Sequence, residues 1–304
     1  CNGLPVGQIK INSIGGTGTL QYSIDSGQTF VNNGGIFTSL YAGNYHTQIK
    51  DSNNCIVDGV DVAIYEPPAM IIDSVIVTDV VCNSQSNGTI RIFARGGQPQ
   101  LMYSINGGLT FSNSNFFPNL VASNYDIVVR DNFKCYQYSN TQVNQPTLLV
   151  LDTVLRTNVN TCFGDATGTI TVNAHGGVDS LMYSYTRIGS YTSPFQTNNV
   201  FNNIIAGAYF VVVKDQNGCS YTSYSFYIFE PEIVKIATDT FSNITCFGAN
   251  NGFISFTGTG GVGNYQYSID NGTSWTTDSV FDNLSNGYYY LRVKDQNNCI
   301  NLQP

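Results

Sequence analysis

The chain is poor in the residues on which most binding and catalytic chemistry is built. Its 304 residues hold 12 Lys and Arg against 20 Asp and Glu, with two His and three Met. The formal charge of −8 comes without a basic cluster. Nucleic acids and anionic membranes are bound through clustered Lys and Arg, so neither is expected as a partner. No apolar run approaches the roughly 20 residues that cross a bilayer, so no membrane insertion is expected. The helix formers Lys, Arg, Glu and Met are scarce and no segment has a persuasive helical period, which excludes a helical fold. There is no C-x-x-C, and only His46 and His175 are available, so no zinc centre is expected. Residue 1 is Cys rather than Met and no secretion signal is visible; the chain is expected to be a fragment of something longer.

Gly, Asn, Ser, Thr and Tyr are abundant instead, the composition of short strands joined by polar turns. The chain also repeats itself. YSIDSGQTF at 22–30 returns as YSINGGLTF at 103–111 and YSIDNGTSW at 267–275, with a degraded copy, YSYTRIGSY, at 183–191. Self-similarity at a fixed period marks a repeat architecture. The double glycines Gly15-Gly16, Gly96-Gly97, Gly176-Gly177 and Gly260-Gly261 serve as a ruler. Each lies fourteen residues after a cysteine (Cys1, Cys82, Cys162, Cys246) and is followed by Tyr22, Tyr103, Tyr183 or Tyr267. Later come the sets Tyr45/Asp51/Cys55, Tyr125/Asp131/Cys135, Tyr209/Asp215/Cys219 and Tyr289/Asp295/Cys299. Closing pairs are Glu66-Pro67, Gln145-Pro146, Glu230-Pro231 and Gln303-Pro304. The repeats are therefore 1–68, 69–146, 147–231 and 232–304, the first short at its start and the last short at its end.

Period-two alternation marks strands within each repeat. GTITVNA (168–174) and GFISFTG (252–258) read as one strand, YQYSI (265–269) as the next, and YFVVVKD (209–215) as a central strand. About seven short strands per repeat predict an all-β fold: four small antiparallel immunoglobulin-like β-sandwiches in tandem, about 80 residues each. In the hairpin turns Asp25-Ser26-Gly27, Asn106-Gly107-Gly108 and Asp270-Asn271-Gly272 the glycine is third. A type I′ turn would force positive φ on Ser26, so a type I turn closed by a left-handed Gly is expected. That parity turns Phe30, Phe111, Tyr191 and Trp275 inward as core residues rather than outward as a sugar-stacking platform. Tyr22, Tyr103, Tyr183 and Tyr267 are expected to be buried, together with Leu40, Leu120 and Leu284.

Eight cysteines in register, two per repeat, read as disulfides. Pairing within repeats gives Cys1–Cys55, Cys82–Cys135, Cys162–Cys219 and Cys246–Cys299. Pairing between repeats gives Cys55–Cys82, Cys135–Cys162 and Cys219–Cys246, each 27 residues apart. The first scheme is preferred because it leaves no cysteine over and makes each repeat self-sufficient. Closing a loop near 54 residues would stabilise by roughly 4 kcal/mol. Catalysis finds no support: two non-equivalent histidines cannot give each repeat a Ser/His/Asp set, and paired cysteines are not nucleophiles. Gly258-x-Gly260-x-x-Gly263 leads into a strand, without the helix that cradles phosphate. The recurring Asp of DSNNC, DNFKC, DQNGC and DQNNC suggests calcium, but one carboxylate per turn reads better as an Asx-turn, and no cofactor is expected.

The succession C-x-G-x-x-x-G-x-I, GG, YSIDxG, F-x-x-L-x-A-G-x-Y, V-K-D-x-N-G-C and a closing E-P resembles the SprB repeat, the unit of giant surface adhesins in gliding Bacteroidota. The first repeat carries it in Cys1, Gly3, Gly7, Ile9, Gly15, Gly16, Tyr22 to Asp25, Gly27, Phe37, Leu40, Ala42, Gly43, Tyr45, Lys50, Asp51 and Cys55. Arg130 replaces Lys in the second repeat, and the third loses IDxG and gains residues around Pro194. The resemblance implies type IX secretion, an extracellular filament attached to the outer membrane, and movement by a motor complex. Its partners would be a surface polysaccharide or substratum, besides the secretion and motility machinery. Asp73-Ser74-Val75, Asp152-Thr153-Val154, Asp278-Ser279-Val280 and, more loosely, Asp239-Thr240-Phe241 resemble that phylum's O-glycosylation consensus, with Ser74, Thr153, Ser279 and Thr240 as acceptors.

Two functions fit: a tension-carrying adhesin stalk for gliding or attachment, or an array of polysaccharide-binding modules. Spacing varies between repeats only from the hairpin Tyr to the later Tyr, at 23, 22, 26 and 22 residues. No common exposed feature recurs there, so the stalk is the expected function and no enzyme activity is expected.

Overall fold

Alternating apolar residues form the strands expected of them. The computed structural model describes residues 1–301, which are all-β, and no helix occurs among them. The closing pair Gln303-Pro304 lies outside the described residues. The second repeat shows the plan. Ile71–Thr78, Gly88–Arg95 and Phe116–Leu120 make one antiparallel sheet; Met102–Ser104, Ser123–Arg130 and Tyr136–Val143 make another, with Ser123–Arg130 central. The third repeat follows it with Thr147–Thr157, Gly168–Gly177 and Val200–Ile204 in one sheet. Its other sheet centres on Gly207–Lys214.

Side chains facing inward from the two sheets make the cores. Ile90, Ile92, Ile127, Val129 and Val143 are enclosed in the second repeat, and Ile170, Val172, Tyr209, Val211 and Val213 in the third. Val234, Phe256, Tyr267 and Val293 do the same in the fourth. Each such side chain contributes about 1.5–3 kcal/mol of apolar burial. The chain divides into two compact units, Cys1–Gln145 and Pro146–Pro304, each holding two repeats. Tyr22, Tyr183 and Tyr267 are buried as expected; Tyr103, Leu40, Leu120 and Leu284 are partly buried. The later tyrosines are corner residues. Tyr45, Tyr125, Tyr209 and Tyr289 donate their hydroxyls to the carbonyls of Tyr41, Val121, Ile205 and Ser285, four residues upstream. Such a corner is a mark of immunoglobulin-like sandwiches.

The hairpin departs from expectation. Ser26 and Gly27 both have positive φ, at 59° and 79°, as do Asn271 and Gly272 at 60° and 87°. The turn is therefore type I′ in backbone sense. A left-handed non-glycine residue costs about 1–2 kcal/mol, and local hydrogen bonds offset it. The Ser23 hydroxyl accepts from the amides of Asp25 and Gly27 and donates to the Asp25 carboxylate, which in turn caps the Thr29 amide. Register shifts by one: Tyr22, Tyr103, Tyr183 and Tyr267 lie opposite Val31, Ser112, Gln196 and Thr276. The residue before each partner, namely Phe30, Phe111, Phe195 or Trp275, therefore turns to the outer face. The inward reading of these aromatics was wrong, and in the third repeat Phe195 rather than Tyr191 holds the position.

The double glycine is explained by close approach. Gly176 has φ +81°, and a Cβ there would lie 1.9 Å from the Leu148 carbonyl oxygen. Gly189 has the same φ, with nothing within 4 Å of its Cβ position. Gly176→Ala should thus destabilise its unit by roughly 2–4 kcal/mol, while Gly189→Ala costs only about 1 kcal/mol of backbone strain. Urea unfolding of both variants checks this; equal losses would refute the close-approach account.

Candidate functional site

The cysteines pair in neither expected way. Cys1 bonds Cys135 and Cys162 bonds Cys299, across 134 and 137 residues, so the first cysteine of one repeat joins the second cysteine of the next. Cys82 and Cys219 are also disulfide-bonded, whereas Cys55 and Cys246 are free and exposed. The pairing Cys1–Cys55 and its equivalents is therefore corrected, as is Cys135–Cys162.

The reason lies in where each repeat puts its two cysteines. The first cysteine follows the opening strand and meets the closing residues of its own repeat. There the Gly164 amide donates to the Glu230 carboxylate at 2.7 Å and the Val159 amide to the Phe229 carbonyl at 2.9 Å. The second cysteine lies at the other end, beside the double glycine, where the Gly261 amide donates to the Glu232 carbonyl at 2.8 Å. An eight-residue opening strand such as Lys235–Ser242 holds these ends about 27 Å apart. A disulfide needs Cα atoms within about 7 Å. Only the next repeat's second cysteine stands at the same junction as a first cysteine. The length of the opening strand was the sequence signal that could have shown this.

One carboxylate per repeat fixes the second cysteine. Asp295 accepts from the Val262 amide at 2.8 Å, the Asn297 amide at 2.9 Å and the Cys299 amide at 2.8 Å. Asp131 accepts likewise from Gln98, Phe133 and Cys135, and Asp51 from Thr17, Asn53 and Cys55. At Asp131 burial pushes the pKa upward, but the amides of Gln98, Cys135 and Phe133 outweigh it and the net shift is downward. The Asx-turn reading of this Asp holds. Among the described residues no group of three or more His, Cys, Asp or Glu is disposed to hold a metal. Across the junction the Asn297 side chain donates to the carbonyls of Asn160 at 2.7 Å and Thr161 at 3.1 Å, so the turn is seated as well as bonded.

The outer aromatics form a second recurring feature. A cation stands over each: Lys50 on Phe30 at 4.5 Å, Arg130 on Phe111 at 4.1 Å, Lys214 on Phe195 at 4.0 Å and Lys294 on Trp275 at 4.6 Å. Each contact is worth about 0.5–1 kcal/mol at an exposed site and covers one ring face.

Other singled-out residues lie apart. His46 sits between Asp61 and Asp58, whose hydrogen bonds raise its pKa, and His175 rests on Asp152 in another repeat. Ser74 and Thr153 are exposed on opening strands at equivalent places, each just after a bulged Asp; Thr240 is exposed elsewhere on its strand, and Ser279 is half-buried. A cavity of about 630 Å³ borders Phe241, Phe253, Leu284 and Leu291. In the third repeat Phe226 and Ile228 of the closing strand pack at the matching position, Ile228 against Gly168. No helix among the described residues is long and apolar enough to cross a membrane.

Residues 74–110, 157–186 and 238–274 match the SprB repeat family model. No curated protein sequence matches it. Among solved structures it is similar to Sidekick-1 immunoglobulin domains 1–5, at 10% identity and TM-score 0.31 over 89% of this chain and 66% of that one. It is also similar to Drosophila OTK extracellular domains 3–5, at 11% identity and TM-score 0.29 over 69% and 84%. Protocadherin Gamma B2 cadherin domains 3–6 match at 11% identity and TM-score 0.27 over 91% and 88%.

Two outcomes are expected. Alkylation before reduction should label Cys55 and Cys246 and no other cysteine, and peptide mapping should recover Cys1–Cys135 and Cys162–Cys299; a Cys1–Cys55 peptide would refute the assignment. In the hairpins, hydroxyl donation from Ser268 and then Ser274 holds the Asp270 pKa at about 2, and donation from Thr29, with Ser23, holds Asp25 at about 2. Both folded values lie below the ordinary 3.8, so their stabilisation is complete above about pH 4 and is lost as pH falls toward 2. Carboxyl-carbon NMR should find midpoints near 2. Asp270→Asn should keep the turn, because Asn106 makes the equivalent bonds in the second repeat, and should remove that acid dependence.

Proposed function

We propose, for a chain that carries SprB repeats, that it is a length of extracellular adhesin stalk whose task is to carry tension with little extension. The disulfides indicate an oxidising, extracellular setting. The observation that carries the reading is the span of the clasps. A bond within a repeat would strengthen that repeat and leave each junction to non-covalent contacts. Cys1–Cys135 and Cys162–Cys299 instead run the covalent path across junctions.

The finer reading extends the family resemblance. The filament would be exported by the type IX system, attached at the outer membrane of a gliding bacterium, and engaged with a polysaccharide or substratum along its length or through other parts. Ser74 and Thr153, exposed near the starts of their repeats, are the acceptors best placed for O-glycans, with Thr240 next. The four repeats at 1–68, 69–146, 147–231 and 232–304 would be the mechanical modules. No role as an enzyme is proposed.

A polysaccharide-binding array is the weaker reading. The aromatics that recur in every repeat each have a face under Lys or Arg. The exposed pairs Tyr136–Tyr138 and Tyr227–Phe229 do not occupy equivalent positions.

Pulling a single molecule between residues 1 and 299 tests the stalk. In the oxidised chain the covalent path runs through both clasps, and only the 27 residues from Cys135 to Cys162 can be drawn out, about 90 Å. Reduction should raise the releasable length to about 1,000 Å. Oxidised protein that yields several hundred ångströms would refute an inextensible stalk.

A further inference from the structure

Where the third repeat ends and the fourth begins, inside the unit Pro146–Pro304, lies a cleft of about 380 Å³. That volume falls within the range of small-ligand sites, about 300–1,000 Å³. The third repeat lines it with Asn158, Asn160, Phe229 and Glu230, and the fourth closes it with Gly261 and Val262. Its walls are fixed. The Phe229 amide donates to Asn158 Oδ1 at 3.1 Å and the Val159 amide to the Phe229 carbonyl at 2.9 Å. The Glu230 carboxylate accepts from the Gly164 amide at 2.7 Å. The Cys162–Cys299 bond and the Asn297 side chain, seated on the Asn160 and Thr161 carbonyls, hold the two repeats at this same junction. A ligand would meet a preorganised cleft.

Hydrogen-bonding groups on its wall are left over. Asn158 uses only its Oδ1, Glu230 only one carboxylate oxygen, and the Asn160 carboxamide makes no hydrogen bond among the described residues. Together they offer both donors and acceptors, as a polyhydroxylated ligand requires. Beside them Phe229 stacks on Tyr227, with centroids 6.1 Å apart and planes 19° from parallel, and both rings are more than half exposed. Among the described residues no Lys or Arg stands over either ring, unlike the aromatics that recur in every repeat. The pair does not recur: its register equivalents are Ala63 and Tyr65 in the first repeat and Gln142 and Asn144 in the second. The lining holds one carboxylate and no cation, so it opposes an anionic ligand.

We propose that this cleft is a single carbohydrate-binding site for a neutral oligosaccharide. One sugar ring lays its C–H face on the Tyr227–Phe229 pair, and its hydroxyls reach Asn158, Asn160 and Glu230. The site rests on the adhesin reading for the origin of its glycan, yet the two fail separately. Extension under load judges the stalk, and binding of free sugar judges the cleft.

The test titrates the oxidised full chain calorimetrically with cellohexaose, laminarihexaose and mannohexaose, and with hexagalacturonate as the acidic probe. At least one neutral hexasaccharide should bind, and NMR should place the shift changes at the Asn158 and Asn160 carboxamides and the Tyr227 and Phe229 rings. Phe229→Ala should weaken binding by about tenfold and Asn160→Ala by about fivefold. Both side chains are exposed and both variants keep the backbone groups used at the junction, so urea unfolding should match the parent. Tyr138→Ala, in the exposed Tyr136–Tyr138 pair of the second repeat, should bind as the parent does. Failure of all three neutral probes, tighter binding of hexagalacturonate, parent-like binding by Phe229→Ala or an equal loss in Tyr138→Ala would each overturn the site.

Discussion

A buried carboxylate, Asp131, Asp215 or Asp295, accepts from a backbone amide just past the double glycine and from the amide of the cysteine four residues on. At 1–3% exposure a carboxyl group left without those donors would be costly to bury. Hydrogen bonds to a charged acceptor are worth about 1.5–3 kcal/mol each. They set two features at once. The glycine loop must come so close that Cβ atoms at Gly97, Gly177 and Gly261 would lie within 3.0 Å of the carboxylate. The cysteine turn is held at the end of the repeat where the chain enters.

From that placement the covalent design follows. With its second cysteine at the entry end and its first a strand away at the exit end, a repeat of about eighty residues cannot bridge itself. Small domains bury a modest share of their surface and are marginal alone. The chain-entropy account gives roughly 5 kcal/mol to a loop as long as that closed by Cys1 and Cys135, and the stabilisation belongs to a pair of repeats jointly. Neither member of a clasped pair can drift from its neighbour while the other stays folded.

Much of this was legible in the sequence, and the rest failed for definable reasons. The cysteine–glycine–tyrosine ruler is a spacing, and spacings survive folding; it gave the repeats, the strands and the all-β class. Pairing of the cysteines needs to know at which end of a sandwich a residue lies, which depends on how many strands separate it from another. Counting the opening strand as a length would have ruled out Cys1–Cys55. The hairpin parity failed at Ser26, where the intrinsic cost of a left-handed serine was weighed without the Ser23–Asp25–Thr29 hydrogen bonds that offset it. Phe195 was hidden because the third repeat lengthens its hairpin with the Tyr191–Thr192 strand, moving the outer aromatic four residues on. The corner tyrosines were visible as a period, but their hydroxyl bond to a carbonyl four residues back has no letter of its own.

The cation–aromatic stacks bear on how such chains meet. Besides the four recurring pairs, Arg91 lies over Phe116 and Arg156 over Phe226, so six of the twelve Lys and Arg stand over the chain's own rings. The stacked cations keep their charge, and the chain as a whole carries a formal charge of −8. Like charge disfavours side-by-side association at close range, though salt screens it beyond about 10 Å at 0.1 M. Such repulsion opposes the lateral pairing to which sheet edges are prone. Within the chain, by contrast, a junction is joined by a seated asparagine, Asn297, and a disulfide, Cys162–Cys299, neither of which a net negative charge opposes.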